Sequence, residues 1–294
     1  MGRLVSSVCV GFSGLVFRFC FPEPLELPAA FTRLACEDPG DVHEEIQLKL
    51  LYEPLRPEGD PIEAPDYRIY PISDGQLCIY PALIAEDGCQ VAFLRRRNHK
   101  NILYYPASRW DFYAHPLNCR HLIRGESLLE SHGAFLLHSS VVMLHGKTVL
   151  FCGPSGMGKS TQADLWCRHL GARLINGDRC LLRQQDGIFH GGGSLWCGTS
   201  QVYRPESAPV AGIFLLEQAP ENQIFPAEGE AFVQLLKLFT VNSWSTEFME
   251  HLLDFLTRLL TCDPVYHRRC LPYRQAAALA YHTIFPEEDA LCPN

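Results

Sequence analysis

At 294 residues, with 47% hydrophobic and 20% charged residues, the chain is long enough for one large domain or two ordinary ones and apolar enough to bury a core. A net charge of -8 disfavours a general affinity for nucleic acid or anionic membrane, and no apolar run is long enough to span a bilayer. The 13 cysteines are odd in number, scattered and never spaced C-x-x-C, which points to reduced thiols in a cytoplasmic protein rather than a disulfide framework or a zinc site.

The stretch Leu4 to Phe17 follows Arg3 and looks faintly like a secretory leader, but Ser6, Ser7, Gly11, Ser13 and Gly14 interrupt it. It reads instead as two strands joined near Gly11 to Gly14. Met1 to Ser6 also fits the N-myristoylation pattern, which is short and often met by chance. Residues 1–117 form a β-rich region of short strands at Val16 to Phe21, Glu45 to Tyr52, Tyr67 to Pro71, Gln76 to Ala82, Gln90 to Leu94 and Asn101 to Tyr105. Proline-rich breaks at Pro22 to Pro28 and Pro54 to Pro65, with turns at Asp74-Gly75 and Asp87-Gly88, predict a small antiparallel sheet or a stack of hairpins. The basic run Arg95-Arg96-Arg97 reads as a solvated turn, and no chemical motif falls in this region.

Near Pro116 the composition shifts. Cys119 to Phe135 has helical spacing with Asn118 as a candidate N-cap, and Phe135 to Leu144 is apolar enough for a strand. His145-Gly146 then turns the chain into the buried strand Lys147 to Cys152, so that two adjacent strands lead into Gly153-Pro154-Ser155-Gly156-Met157-Gly158-Lys159-Ser160-Thr161. This is G-x-x-x-x-G-K-[ST], a phosphate-binding loop, with a helical run from Gln162 to Leu170 behind it. Glycines let successive backbone N–H groups turn inward on phosphate oxygens, and the helix presents its positive end to the same anion. Lys159 is placed to reach the β- and γ-phosphates and Ser160 to ligate Mg²⁺.

The apolar strand from Ala172 to Ile175 leads to Asp178, a carboxylate set to hold Mg²⁺ opposite Ser160. His138, on the first of the two strands before the loop, falls within reach of the phosphates. Gly191 to Gly198 is a second glycine-rich segment without the lysine and helix of a phosphate loop, read equally as a lid, an acceptor loop or a connector. Further on come a buried strand at Ala211 to Glu217 and helices at Gly229 to Phe239, Glu247 to Leu260 and Tyr273 to Phe285. Pro264-Val265-Tyr266 reads as a short edge strand, and residues 286–294 as an acidic tail.

The absence of an L-S-G-G-Q signature, of an apolar run ending in Asp-Glu and of N-K-x-D disfavours transport ATPases and GTPases. What is present, in order, is Leu136 to Val142, Val149 to Gly153, the loop, Arg173 to Arg179, Ser194 to Gly198, Pro209 to Gln218 and Pro264 to Tyr266. This series resembles the HPr kinase/phosphorylase family and its shorter related kinases, which share a core with ATP-dependent phosphoenolpyruvate carboxykinase. The resemblance spans residues 118–285 and implies an α/β fold, a P-loop kinase core of that type behind a β-rich N-terminal region. It implies ATP and Mg²⁺ as cofactors, His138 beside the transferred phosphate, Asp178 as the metal-facing aspartate, and homo-oligomers. Gly177 stands where the family carries a first aspartate that takes the acceptor's proton, and Thr161 where its loop often carries Glu. The expected activity is phosphoryl transfer to a hydroxyl of a protein, peptide or small molecule, with His138, Lys159 and Asp178 catalytic and residues 1–117 choosing the acceptor. The alternative is a nucleotide-gated binding module that holds ATP without using it.

Overall fold

The alternation of Phe17, Phe19 and Phe21 puts three aromatic rings on one face of a strand. All three are buried, beside Phe12 from the preceding strand and Phe31 from the short helix that follows. The computed structural model describes residues 4–113, 115–198 and 200–286. The start of the N-myristoylation pattern and the tail beyond Pro286 lie outside them. The chain divides into two compact units, one comprising residues up to Leu128 together with Asn242–Thr246, the other Leu129–Val241 and Glu247 onward.

In the first unit, Leu4–Phe12 (β1) and Leu15–Glu26 (β2) form a hairpin through Ser13 and Gly14, followed by the helix Ala29–Leu34 (α1). Glu44–Leu51 (β3), Ile62–Glu63 (β4), Arg68–Ile72 (β5), Gly75–Ile84 (β6), Gln90–Arg96 (β7) and Lys100–Pro106 (β8) complete one sheet in the order β1-β2-β3-β8-β7-β6-β5-β4. Because β3 runs parallel to both β2 and β8, the sheet is mixed, which corrects the expectation of an antiparallel sheet or hairpin stack. The predicted break at Pro22 is also corrected, since β2 continues through Pro22 and Pro24. Its pairing with β3 ends at Cys20 and its register with β1 shifts between Val5 and Ser7, so these prolines interrupt no regular ladder. The helices Trp110–Tyr113 (α2), Pro116–Leu122 (α3) and Gly125–Glu130 (α4) follow. The single helix expected from Cys119 is thus split, with Arg124 in the left-handed region (φ 48°) between α3 and α4.

The second unit is built on Ala134–Leu144 (β9), Lys147–Cys152 (β10), Lys159–Leu170 (α5), Arg173–Asn176 (β11), Arg179–Gln185 (β12), Ile188–Gly192 (β13) and Ser207–Gln218 (β14). It continues with Gln223–Pro226 (β15), Glu230–Leu236 (α6), Thr246–Cys262 (α7), Val265–Cys270 (β16) and Arg274–Ile284 (α8). Two strands serve three neighbours each. The first part of β9 pairs with β12 and the rest with β10 and β11, while β14 pairs first with β13 and then, in parallel, with β10 and β16. β16 lies between β14 and β15, so the edge strand expected at Pro264 to Tyr266 is an interior one.

β10 shows how the layers form. Val149 and Phe151 face the core built with Trp166 of α5 and Ala277 of α8, while Leu150 and Cys152 face the core built with Leu252, Phe255 and Leu256 of α7. The strand is buried on both faces and fixed by β9 on one side and β14 on the other. The chain that leaves it at Cys152 therefore starts from a rigid point. The cysteines among the described residues are all free thiols, and no described helix is long and apolar enough to cross a membrane.

Candidate functional site

β10 ends at Cys152, and the chain returns as α5 at Lys159. The tight path between them uses Gly156 at φ 81° and Gly158 at φ 98°, conformations that a Cβ would strain. Gly158 is the N-cap of α5 and provides no side-chain cap, so the first amides of the helix have no partner from a capping side chain. That end therefore offers donors and a positive partial charge to an anion. Gln218, at the end of β14, fixes the loop by donating from Nε2 to the Gly156 carbonyl at 2.9 Å.

Lys159 is buried, and its Nζ donates to the carbonyls of Gly153 (2.8 Å) and Pro154 (3.0 Å). Burial lowers its pKa, an effect that the nearby Asp178 opposes. Gly153 and Pro154 thus act through their carbonyls. Met157 turns its side chain into the core shared with α5 and α8, and a Cβ on Gly153 would lie 3.1 Å from Met157 Cγ. Of the predicted loop residues, Ser155, Gly156, Gly158, Lys159, Ser160 and Thr161 line a cleft of about 460 Å³; Gly153, Pro154 and Met157 do not.

His138, Gly177, Asp178 and Ser200 also line this cleft. Asp178 is set by Asn176, a fully buried side chain whose Oδ1 accepts from the backbone N–H of Asp178 (2.9 Å) and of Arg179 (3.0 Å). The Ser140 hydroxyl donates to the Gly177 carbonyl at 2.9 Å, and the Ser139 N–H to the Asp178 carbonyl at 3.1 Å. The turn is thereby tied to β9, whose Ser139 and Ser140 directly follow His138. His138 Nε2 lies 3.3 Å from Asp178 Oδ1, and Arg179 Nε lies 3.4 Å from the other carboxylate oxygen. Arg179 stands opposite His138 in the β9–β12 register and also donates to Thr240 Oγ1 at 3.1 Å.

Burial lowers the pKa of His138, and the positive charges of Lys159 and Arg179 add to this, while Asp178 acts in the opposite sense. Burial thus favours the neutral imidazole, the form with a lone pair to accept a proton. The cleft accordingly has a cationic wall of lysine and bare helix amides and, on another side, a hydrogen-bonding base beside a carboxylate. The hydroxyl of Ser160 and the carboxylate of Asp178 are hard oxygen donors of the type that Mg²⁺ takes. The structure thus brings His138, Lys159, Ser160 and Asp178 together. Arg204 donates from Nε to the Leu174 carbonyl at 2.9 Å. Asn176 and Gln218 fall within the ordered sequence stretches noted above without a role marked for them and Ser200 falls outside them; what these three side chains do is recognisable only once the strands are assembled.

No family model matches the chain, and no curated protein matches its sequence. Among solved structures, the HPr(Ser) kinase/phosphatase from Coxiella burnetii aligns over 53% of this chain and 90% of its own, at 14% identity and a TM-score of 0.30. That is a distant likeness to a kinase/phosphatase and assigns neither site nor activity.

Proposed function

We propose that the chain is an ATP- and Mg²⁺-dependent phosphotransferase that acts on a hydroxyl of a protein, peptide or small molecule. The observation that carries this reading is the composition of one cleft: Lys159 and the uncapped end of α5, with the His138–Asp178 pair, line the same volume. Phosphoryl transfer asks a protein mainly for positioning and charge neutralisation. The amides at the start of α5 and the Lys159 ammonium bind and orient the phosphates. Ser160 and Asp178 would hold Mg²⁺, which neutralises charge on the phosphate oxygens when bound. The His138–Asp178 pair, joined through His138 Nε2, accepts the proton of the attacking hydroxyl, a task left to it because Gly177 offers no carboxylate. We assign choice of the acceptor to residues 1–117, whose sequence carries no phosphate-binding motif.

The bare Gly177 favours a second reading, a module that binds nucleotide and uses it as a signal. One experiment separates the two: incubation with γ-labelled ATP, Mg²⁺ and a panel of peptides and metabolites, with products identified by mass spectrometry. The phosphotransferase reading expects label on a defined hydroxyl, lost by about 10²-fold or more in Lys159→Ala and weakened in its Mg²⁺ dependence in Asp178→Asn. Unchanged labelling in both variants would sink it, and tight Mg²⁺-ATP binding with no product over a broad panel would favour the module.

A further inference from the structure

The glycine-rich segment after β13 approaches the Gly177–Asp178 turn closely. Ser194 Oγ donates to the Arg179 carbonyl at 2.9 Å, and Asn176 Nδ2 donates to the Trp196 carbonyl at 3.0 Å. The side chain that shapes the Asp178 turn therefore also anchors this strap. A Cβ on Gly198 would lie 3.0 Å from both Cβ and Cγ of Asp178, so glycine permits the approach. Two residues later the relation is reversed: a Cβ on Gly177 would lie 2.5 Å from Ser200 Oγ and 2.7 Å from Ser200 Cβ. Ser200 occupies the volume that any side chain at 177 would need. Its exposed side chain lines the cleft with His138, Lys159 and Asp178.

From this placement we infer that Ser200 is a site of self-phosphorylation, a hydroxyl that the fold itself delivers to the acceptor side of the cleft. The inference rests on the phosphotransferase reading. In the step, Ser200 Oγ forms a bond to the terminal phosphorus of a nucleoside triphosphate. The bond from that phosphorus to its bridging oxygen breaks, the nucleoside diphosphate leaves with the electron pair, and the hydroxyl proton passes to the His138–Asp178 pair. Because one chain holds both the cleft and the hydroxyl, the reaction is first order in protein. The phosphoserine then stands beside Asp178 and obstructs an external acceptor until it is removed.

The full chain is incubated with Mg²⁺-ATP without acceptor at several protein concentrations, and the phosphorylated peptide is mapped by mass spectrometry. The expected result is phosphate on Ser200, formed at a fractional rate independent of protein concentration and lost in both Ser200→Ala and Lys159→Ala. Calorimetry on the same preparation measures Mg²⁺-ATP binding. Binding that Lys159→Ala abolishes, with Ser200 unmodified and phosphate on another residue or only on an added acceptor, overturns the Ser200 inference and leaves the phosphotransferase reading standing. Absence of nucleotide binding overturns both. A readout independent of turnover uses Ser200→Cys, alkylated by a maleimide and mapped by peptide so that the native cysteines are distinguished. Protection of this position by Mg²⁺-ADP is expected, and equal alkylation with and without the nucleotide overturns the placement of Ser200 in the phosphate cleft.

Discussion

His138 and Asp178 are neighbours because β9 and β12 are in register, and their roles separate on substitution. Deleting a positioned base costs about 10²- to 10⁴-fold in rate, so His138→Ala should lower turnover by at least about 10²-fold while nucleotide affinity stays close to that of the native chain. Turnover and binding measured on the same protein check this. A loss under about tenfold would make His138 a structural histidine on a buried strand. Asp263 offers a contrasting case. It follows α7, its N–H donates to the Leu259 carbonyl, and its Oδ2 is buried without a hydrogen-bond partner. Burial raises its pKa from 3.8 to about 6, and a negative charge at a helix C-terminus meets the unfavourable end of the dipole. The folded state thus holds this proton more tightly than the unfolded state. The associated stability is present below pH 3.8 and is lost as pH rises through about 6. Asp263→Asn should therefore stabilise the chain at pH 7 by roughly 1 kcal/mol, after allowance for partial exposure, and by little at pH 4. Thermal melts across that range would reveal the difference, and an equal shift at both pH values would rule out titration as the cause.

At the scale of elements, α5 is aimed by a buried arginine that no motif announces. Arg268 of β16 lies with its guanidinium 5.5 Å from the ring centroid of Phe151 and 5.1 Å from that of Phe214. Its Nη2 donates to Gln162 Oε1 in the first turn of α5 (2.5 Å) and to the Ala276 carbonyl (2.8 Å), while Nη1 has no partner. Burial lowers its pKa to about 10. Replacing a buried, incompletely paired charge by an apolar side chain of similar length is often neutral or stabilising. Arg268→Met should therefore keep or raise Tm and yet release Gln162, weakening Mg²⁺-ATP binding by about tenfold, the equivalent of one hydrogen bond to a charged group. Calorimetry and melting curves together test this; a fall in Tm with unchanged affinity would assign Arg268 to the core alone. The same strand shows what the sequence conceals. The loop, the β9–β10 hairpin and the amphipathic α7 are legible because their signals are local: glycines at fixed offsets, alternation, and a stripe of apolar residues. β16 is legible only as a short edge strand, because His267, Arg268 and Arg269 break the apolar pattern of an interior one, and the ring stack that makes an arginine tolerable comes from β10 and β14. Ser200 and Asn176 are hidden for the same reason, since their importance lies in contacts with residues distant in sequence. Within the candidate cleft, the residues that touch phosphate in the proposed function are the ones a motif marks, and those that position them are not.

Considered as a whole, the chain does not simply finish one unit and begin the next: after building most of the second unit it contributes Asn242–Thr246 to the first. Arg124 is the fastening point within that unit. Only 2% exposed, it sits with its guanidinium 5.0 Å from the ring centroid of Tyr67 and 4.8 Å from that of Trp244. It donates to Cys78 Sγ at 2.8 Å and to Ser127 Oγ at 2.6 Å, and Glu126 lies 3.6 Å from its Nε. Ser127 Oγ in turn accepts from Asn242 Nδ2 at 2.6 Å, so the segment that returns is bound by hydrogen bond and by ring stacking at once. The position is demanding, because Arg124 also adopts φ 48°, a strain of about 1–3 kcal/mol that persists only where surroundings fix it. Arg124→Ala removes the charge from Glu126 and leaves Tyr67 and Trp244 facing a gap, a combination that costs about 3–5 kcal/mol in buried pairs. Ser127→Ala, which deletes the hydrogen bonds from Asn242 and from Arg124 while leaving the arginine between its rings, should cost about 2–3 kcal/mol. Denaturant unfolding gives both values, and tryptophan emission, with Trp244→Phe as reference, reports whether the returning segment has come loose: Arg124→Ala should shift the Trp244 contribution to longer wavelength and Ser127→Ala should shift it less. Were the two variants to lose equal stability with no change in emission, the returning segment would be held by its backbone alone, and the arginine would count only as core filling.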